Sequence, residues 1–420
     1  MKILWVTNTV FPDLAIALGQ RPPVVGGWMY GLAKSLSHSP NIELFVATAR
    51  DAKSDDEKKI NNITYFHLMG EKSINEYDVS LEKKWISIVE KVNPDVVHIH
   101  GTEYAHGLSL MNACPQLNYV ISIQGLISVY SRYFLANLSN SDLRKSLSLR
   151  DILKRQTLKQ EEKEFLKRGE SIEKKYLVKT KHVIGRTQWD YAHTKIVNPN
   201  VQYHFCNESL RDSFYESPLW EPKQDHVEPT IFLSQASRPL KGLHQVLKAA
   251  YLLKDSYPNL KLRIAGGNIV KSDNLKQKLS ISGYGKYIRG LISQYGLDNQ
   301  IVFTGPLDEA GMIKEYTNAS MFVCPSSIEN SPNSLGEAQL LGVPVIASYV
   351  GGVADMVTHE ETGLLYRFEE VEMLAISIKR LIEDKELAIH LSKNGHKEAK
   401  KRHDRQANLD QLLSIYKSIV

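Results

Sequence analysis

Short apolar, β-branched runs alternate with segments of helical period along the first half of the chain. The runs cover residues 3–7, 44–48, 63–67, 96–100 and 119–123, and the helical segments between them include 29–37 and 81–92. Apolar positions spaced by three and four mark an amphipathic helix, whereas a short unbroken apolar run marks a strand covered on both faces. Their alternation demands crossover connections and predicts a mostly parallel sheet. Two later runs, 182–185 and 201–205, flank a helical stretch at 188–197 and complete that sheet.

The pattern breaks between residues 207 and 229, where Pro218, Pro222 and Pro229 interrupt any regular element. Alternation restarts with strands at 230–234, 262–265, 301–304, 321–324 and 345–348 and helices at 243–254, 286–295, 308–317 and 334–341. The stretch 387–420 reads as helix throughout, with Gly395 its one internal break signal. The expected α/β organisation is a Rossmann-like domain over 1–206 with a helical insertion at 131–181, a linker over 207–229, a second Rossmann-like domain over 230–400, and a C-terminal helix over 401–420 that crosses back to the first domain. Open parallel sheets bind ligands beyond the carboxyl ends of their strands, so two doubly wound domains facing each other predict a cleft lined by strand-to-helix loops.

Composition narrows the class without changing the fold. A chain of 420 residues exceeds what one core organises, and its 42% hydrophobic and 24% charged content is that of a globular protein. Residues 1–9 carry one lysine and an apolar run too short for a signal peptide, and no run approaches the ~20 residues that cross a bilayer. Cys114, Cys206 and Cys324 are odd in number and lie beside apolar residues, which fits buried thiols in a reducing compartment, so a cytoplasmic location is expected. The net charge of +5 is uneven: residues 131–181 hold 14 Lys and Arg against 7 Asp and Glu, 14 − 7 = +7, leaving the remainder slightly acidic. Leucine, isoleucine and phenylalanine interleave with these cations, as in long amphipathic helices. Two readings stand: peripheral contact with anionic lipid at the inner membrane face, or a solvated insertion packed on its domain. Nucleic acid is not an expected partner, because no binding motif accompanies the charge.

The chemistry concentrates after the strand at 321–324. Pro325-Ser326-Ser327-Ile328-Glu329 leads through Pro332 into a helix with Asn333 or Ser334 as its cap, and Leu341-Gly342-Val343-Pro344-Val345 turns into the next strand. A helix start presents unbonded N–H groups to an anion. Glu337 follows within the first turns and Glu329 sits on the incoming loop, so two carboxylates able to accept sugar hydroxyls flank that anion site. On these residues the chain resembles family 4 of the retaining glycosyltransferases (glycosyl transferases group 1), which have the GT-B fold. The family pattern is matched by Pro325-Ser326, Glu329 and Glu337 eight positions apart, Gly342-Val343-Pro344-Val345, Gly351-Gly352 and Thr362-Gly363-Leu364-Leu365.

The resemblance implies that Glu329 contacts the transferred sugar, that Glu337 holds the ribose, and that amides of Asn333, Ser334 and Leu335 take the distal phosphate. It implies that Arg238 and Lys241 neutralise the leaving diphosphate, with Arg238 closer to the lysine than the family pattern has it. Gly305 and Leu307 would read the base through backbone groups, and Gly26 and Gly27 would let backbone approach the diphosphate. For the acceptor, His100 ends a strand as in the family, with a core histidine as the other reading. Gln124 stands where many relatives have histidine, so it can hydrogen-bond a hydroxyl but not titrate. Arg186 meets either acidic groups of a ligand or, in a structural salt bridge, Asp190 or Glu208.

The implied reaction is transfer from a UDP- or GDP-sugar to a glycan or lipid-linked glycan, in the setting of bacterial surface polysaccharide. No cofactor and no metal are expected: no two aspartates stand at i and i+2, so the Asp-x-Asp of metal-dependent enzymes is absent. Retention implies front-face substitution in which the leaving phosphate oxygen takes the acceptor's proton. Two other readings stay open: a sugar-nucleotide epimerase or hydrolase of the same fold, and a non-catalytic nucleotide-sugar-binding protein. No Gly-x-Gly-x-x-Gly follows either first strand, which argues against a dehydrogenase.

Overall fold

The computed structural model describes residues 1–22, 27–223, 228–271 and 274–420. The chain divides into two compact units, one of residues 1–129, 166–211 and 402–420, the other of residues 130–165 and 212–401.

The first unit is built on β1 (Lys2–Thr7), β2 (Glu43–Thr48), β3 (Asp56–Ile60), β4 (Ile63–His67), β5 (Val96–His100), β6 (Tyr119–Ser122), β7 (His182–Gly185) and β8 (Gln202–Phe205), in the order β3-β4-β2-β1-β5-β6-β7-β8. All described pairings are parallel except β3 with β4. Period-two alternation decides which face each side chain enters. Leu4 and Val6 pack with Val97 and Ile99 against Trp85 and Ile88 of helix Ser80–Val92. Ile3 and Trp5 face the other way, against Leu32 and Leu36 of helix Gly27–Ser37 and Leu412 and Tyr416 of helix Arg405–Ile419. The C-terminal helix therefore crosses back to the first unit, where Trp5 Nε1 donates to the Tyr416 hydroxyl at 2.9 Å. The sequence pattern missed β3 because Asp-Glu-Lys-Lys-Ile shows no apolar alternation; charge of this kind is what keeps an edge strand from pairing further.

The second unit has β9 (Thr230–Leu233), β10 (Lys261–Ala265), β11 (Ile301–Gly305), β12 (Met321–Cys324), β13 (Val345–Ser348) and β14 (Leu364–Tyr366), all parallel, in the order β11-β10-β9-β12-β13-β14. The three residues of β14 are too few to show a period.

The structure corrects four expectations. The basic stretch 131–181 is long helix only in its second half: up to residue 154 it breaks into Ile127–Tyr133, Asn140–Lys145 and Leu149–Lys154, because Ser139 and Ser148 cap new starts, whereas Leu158–Arg168 continues through a π-helical turn at Gly169–Glu173 into Lys174–Lys179. Its first part, 130–165, also belongs to the second unit rather than to the first. Buried His244 shows why: its Nε2 lies 3.0 Å from the Ala136 carbonyl and its Nδ1 3.0 Å from the Tyr284 hydroxyl, so the segment satisfies a polar group of the second unit's core. Residues 207–229 are not a free spacer. The division falls between Arg211 and Asp212, and Trp220 is buried with its N–H and Nε1 donating to the Leu341 and Ala319 carbonyls at 2.8 Å. Gly395 does not break the terminal helix; helix Lys385–Arg402 continues through it, and Asp404 starts the next helix by accepting from Ala407 N at 2.8 Å. A Cβ at Gly395 would stand 3.1 Å from the Thr362 carbonyl oxygen, so the glycine there serves close packing.

Candidate functional site

Two loops at the carboxyl ends of β9 and β12 meet in the second unit. Ser327 N donates to the Leu240 carbonyl at 2.8 Å, and the Lys241 ammonium lies 2.5 Å from Glu329 Oε1, which also accepts from Ser326 Oγ at 2.7 Å. Both side chains are largely buried, at 18% and 10% exposure. Charges so desolvated persist only when paired and hydrogen-bonded. Sequence-distant Lys241 and Glu329 are thus one device.

Glycine makes the approach possible at two points. Gly242 has φ +72°, and a Cβ there would lie 1.7 Å from the Pro325 carbonyl oxygen. Gly351 has φ +52°, with its Cβ position 1.9 Å from the Glu329 carbonyl oxygen, while Gly352 N donates to that same oxygen at 3.0 Å. Any side chain at either position would push Glu329 or its loop out of place.

Helix Asn333–Leu340 begins directly after this loop, with Pro332 rather than Asn333 or Ser334 as its cap. Its first-turn amides have no carbonyl four residues back. Of the three amides expected to take the distal phosphate, the Leu335 N–H is turned to the Pro332 carbonyl at 3.0 Å. Glu337 is buried one turn on. Gly305 ends β11, at the sheet edge, and Leu307 lies on the loop after it; the following helix Glu309–Asn318 returns to the site, where the Tyr316 hydroxyl donates to the Ser334 carbonyl at 2.9 Å. Arg238 does not join Lys241. It is exposed, stands 3.8 Å from Glu161 and lies over the Phe165 ring at 5.4 Å.

Sequence reasoning missed Tyr130. Its hydroxyl accepts from Asn330 N at 3.0 Å, next to Glu329, and the nearby Tyr133 carbonyl accepts from Ser327 Oγ at 2.8 Å. No local signal could reveal a contact across 200 residues. Tyr130→Phe removes that acceptor from a buried amide, which costs about 1 kcal/mol. We expect a slightly lower melting temperature and a several-fold weaker response to nucleotide-sugar in a binding titration; unchanged binding would make Tyr130 a purely structural contact.

The first unit gathers the other group. A small open pocket is lined among others by Trp28, His100, Ser122, Arg186, Asn207 and Glu208. His98 and His100 stack at 3.9 Å. Trp5 gives its N–H to the Tyr416 hydroxyl, which is also hydrogen-bonded to His98 Nδ1, and His98 Nε2 is hydrogen-bonded to Ser122 Oγ at 2.6 Å. Burial holds His98 neutral, with its pKa down to about 3, and lowers His100 well below the usual range. Among the described residues neither ring nitrogen of His100 has a hydrogen-bond partner, which is unusual for a buried polar side chain. Arg186 forms a buried ion pair with Glu208 and donates to the Ile123 carbonyl at 3.1 Å, while Asp190 accepts from the Arg186 backbone N–H at 3.0 Å. Gln124 Nε2 donates to the other Glu208 oxygen at 2.8 Å. Glu208 thus ties Gln124 to Arg186 beside His100. Gly27 opens its helix, and Gly26 lies outside the described residues.

Cys114, Cys206 and Cys324 are buried free thiols, and burial pushes Cys206 and Cys324 up to about 12. Among the described residues no helix is long and apolar enough to cross a membrane.

Two parallel-sheet α/β units of this kind define the GT-B fold. The chain is similar over its whole length to sucrose-phosphate synthase from Thermosynechococcus elongatus, with a TM-score of 0.70 at 18% identity, covering 99% of that chain. It is similar also to HepE of Anabaena in complex with UDP and glucose, with a TM-score of 0.65 at 16% identity and full coverage of both chains. Residues 219–398 match the family described as Glycosyl transferases group 1. Over 181 residues, 43% of this chain and 46% of that protein, it is 28% identical to the uncharacterized glycosyltransferase YqgM of Bacillus subtilis. The matched stretches span about half the length of the curated relatives.

Proposed function

We propose that this protein is a retaining glycosyltransferase that moves a sugar from a nucleotide-diphosphate donor to a glycan or lipid-linked glycan, in the assembly of a bacterial surface polysaccharide. The Lys241–Glu329 pair beside the start of helix Asn333–Leu340 carries this reading. The second unit holds the donor: Lys241 and the first-turn amides bear the negative charge that grows on the leaving diphosphate, so no divalent ion is required. Glu329 orients the sugar through its hydroxyls and Glu337 holds the ribose. The acceptor lies on the first unit, where Trp28 offers an apolar ring face and His100 and Gln124 offer hydrogen bonds. The departing phosphate oxygen accepts the acceptor's proton, which suits a site whose histidines are held neutral. UDP in HepE favours a UDP-sugar over a GDP-sugar.

A panel of UDP-, GDP- and ADP-sugars in a thermal-shift assay tests the donor assignment. A ligand present at a hundred times its Kd stabilises by about 2.7 kcal/mol. We expect one panel member to raise the melting temperature of the wild type and Glu337→Ala to lose that shift. An undiminished shift in the variant rejects the ribose assignment. Nucleotide diphosphate released only when acceptor is present supports transfer; equal release without acceptor makes the protein a hydrolase.

A further inference from the structure

We propose that residues 144–159 form a docking surface for anionic phospholipid, carried by the second unit. This stretch contains Arg144, Lys145, Arg150, Lys154, Arg155 and Lys159 and a single acid, Asp151. That acid is turned inward: Asp151 is buried, and its carboxylate accepts from the Gly283 backbone N–H. Arg150 pairs with it at 3.3 Å, whereas Arg144, Lys145, Lys154 and Arg155 are exposed and take part in no ion pair among the described residues. Arg144, Lys145, Lys154 and Arg155 therefore give this face a cationic rim, while Lys159 at its end interacts with Glu162.

The same face is apolar at its tip. Leu149, Ile152 and Leu153 occupy one side of helix Leu149–Lys154 at 62%, 53% and 83% exposure, preceded by exposed Leu147. Large side chains of this kind, clustered and left in water, mark an interaction site. The tip is held in place: Lys286 Nζ donates to the Leu147 carbonyl at 2.6 Å, and Ser148 caps the helix. Charge decides between occupants. A second copy of this chain would set one cationic rim against another, whereas an anionic bilayer meets the rim with phosphates and takes the leucines into its acyl boundary. This surface lies outside the Lys241 and His100 sites, so the inference stands apart from the transfer reaction.

Co-sedimentation of the full chain with phosphatidylcholine vesicles, with and without phosphatidylglycerol, tests it without any donor or acceptor. We expect binding only to the anionic vesicles, weakened by salt. Neutralising two cations in Lys154→Gln/Arg155→Gln should lower the partition coefficient roughly thirty-fold. Leu149→Ser/Leu153→Ser should abolish binding with an unchanged melting temperature, since both side chains are exposed. Equal binding to neutral vesicles, or unaltered binding by both variants, overturns the proposal. So does light scattering that shows a dimer in the wild type and a monomer in the leucine variant.

Discussion

Lys241→Ala lowers kcat for nucleotide diphosphate release about a hundred- to a thousand-fold, the loss seen when one preorganised charge-stabilising group is taken from a transition state. Lys241 is held for this work before any ligand arrives. Its ammonium is pinned to Glu329 at 2.5 Å, in a loop fixed by the glycine at 242 against Pro325. The charge therefore needs little reorganisation when a diphosphate begins to leave. Lys241→Arg keeps the charge but not the fit, and should recover only part of the rate. A structural account predicts something else, namely a protein that melts early and regains its rate on cooling. Steady-state rates on a variant shown to be folded by circular dichroism separate the two, and a loss below about ten-fold would end the proposed role.

Arg186→Met destabilises the protein by about 3–5 kcal/mol, because it takes the guanidinium away from the buried carboxylate of Glu208. Arg186 and Glu208 side chains are only 5% and 9% exposed, and the neutral Gln124 amide does not replace the charge of the guanidinium. The double variant Arg186→Met/Glu208→Leu removes both charges and should regain most of the loss in urea unfolding. A double variant no more stable than the single would mean that the guanidinium's bonds to the β6 end, not the ion pair, carry the stability. Activity of the double variant then answers a second question: an arginine that only braces the fold can be spared, whereas one that meets the acceptor cannot.

Much of the fold was legible because parallel sheets covered on both faces announce themselves as unbroken apolar runs. The crossing of helix Arg405–Ile419 to the first unit followed from the fold resemblance, and Tyr416 beneath Trp5 and His98 confirms it. Glu329, Glu337 and Lys241 were singled out by the family pattern around them, and packing adds that Lys241 and Glu329 meet as an ion pair. Arg186 illustrates the limit. Both of its readings were visible in sequence, but only packing shows Glu208 beside it. Residues 130–165 were assigned to the wrong unit for a similar reason: their own pattern is helical wherever they dock, and the decisive contacts, Asp151 with Gly283 and Tyr130 with Asn330, span more than a hundred residues.

That docking changes what counts as a separable part of this molecule. The stretch matching the family begins at residue 219, which invites excision of a C-terminal fragment. Such a fragment would lack the Ala136 carbonyl opposite His244, the Asp151 carboxylate on Gly283 N and the Tyr130 hydroxyl beside Glu329. A faithful dissection has to graft or co-express residues 130–165, because the second unit is discontinuous in the gene and whole only in space.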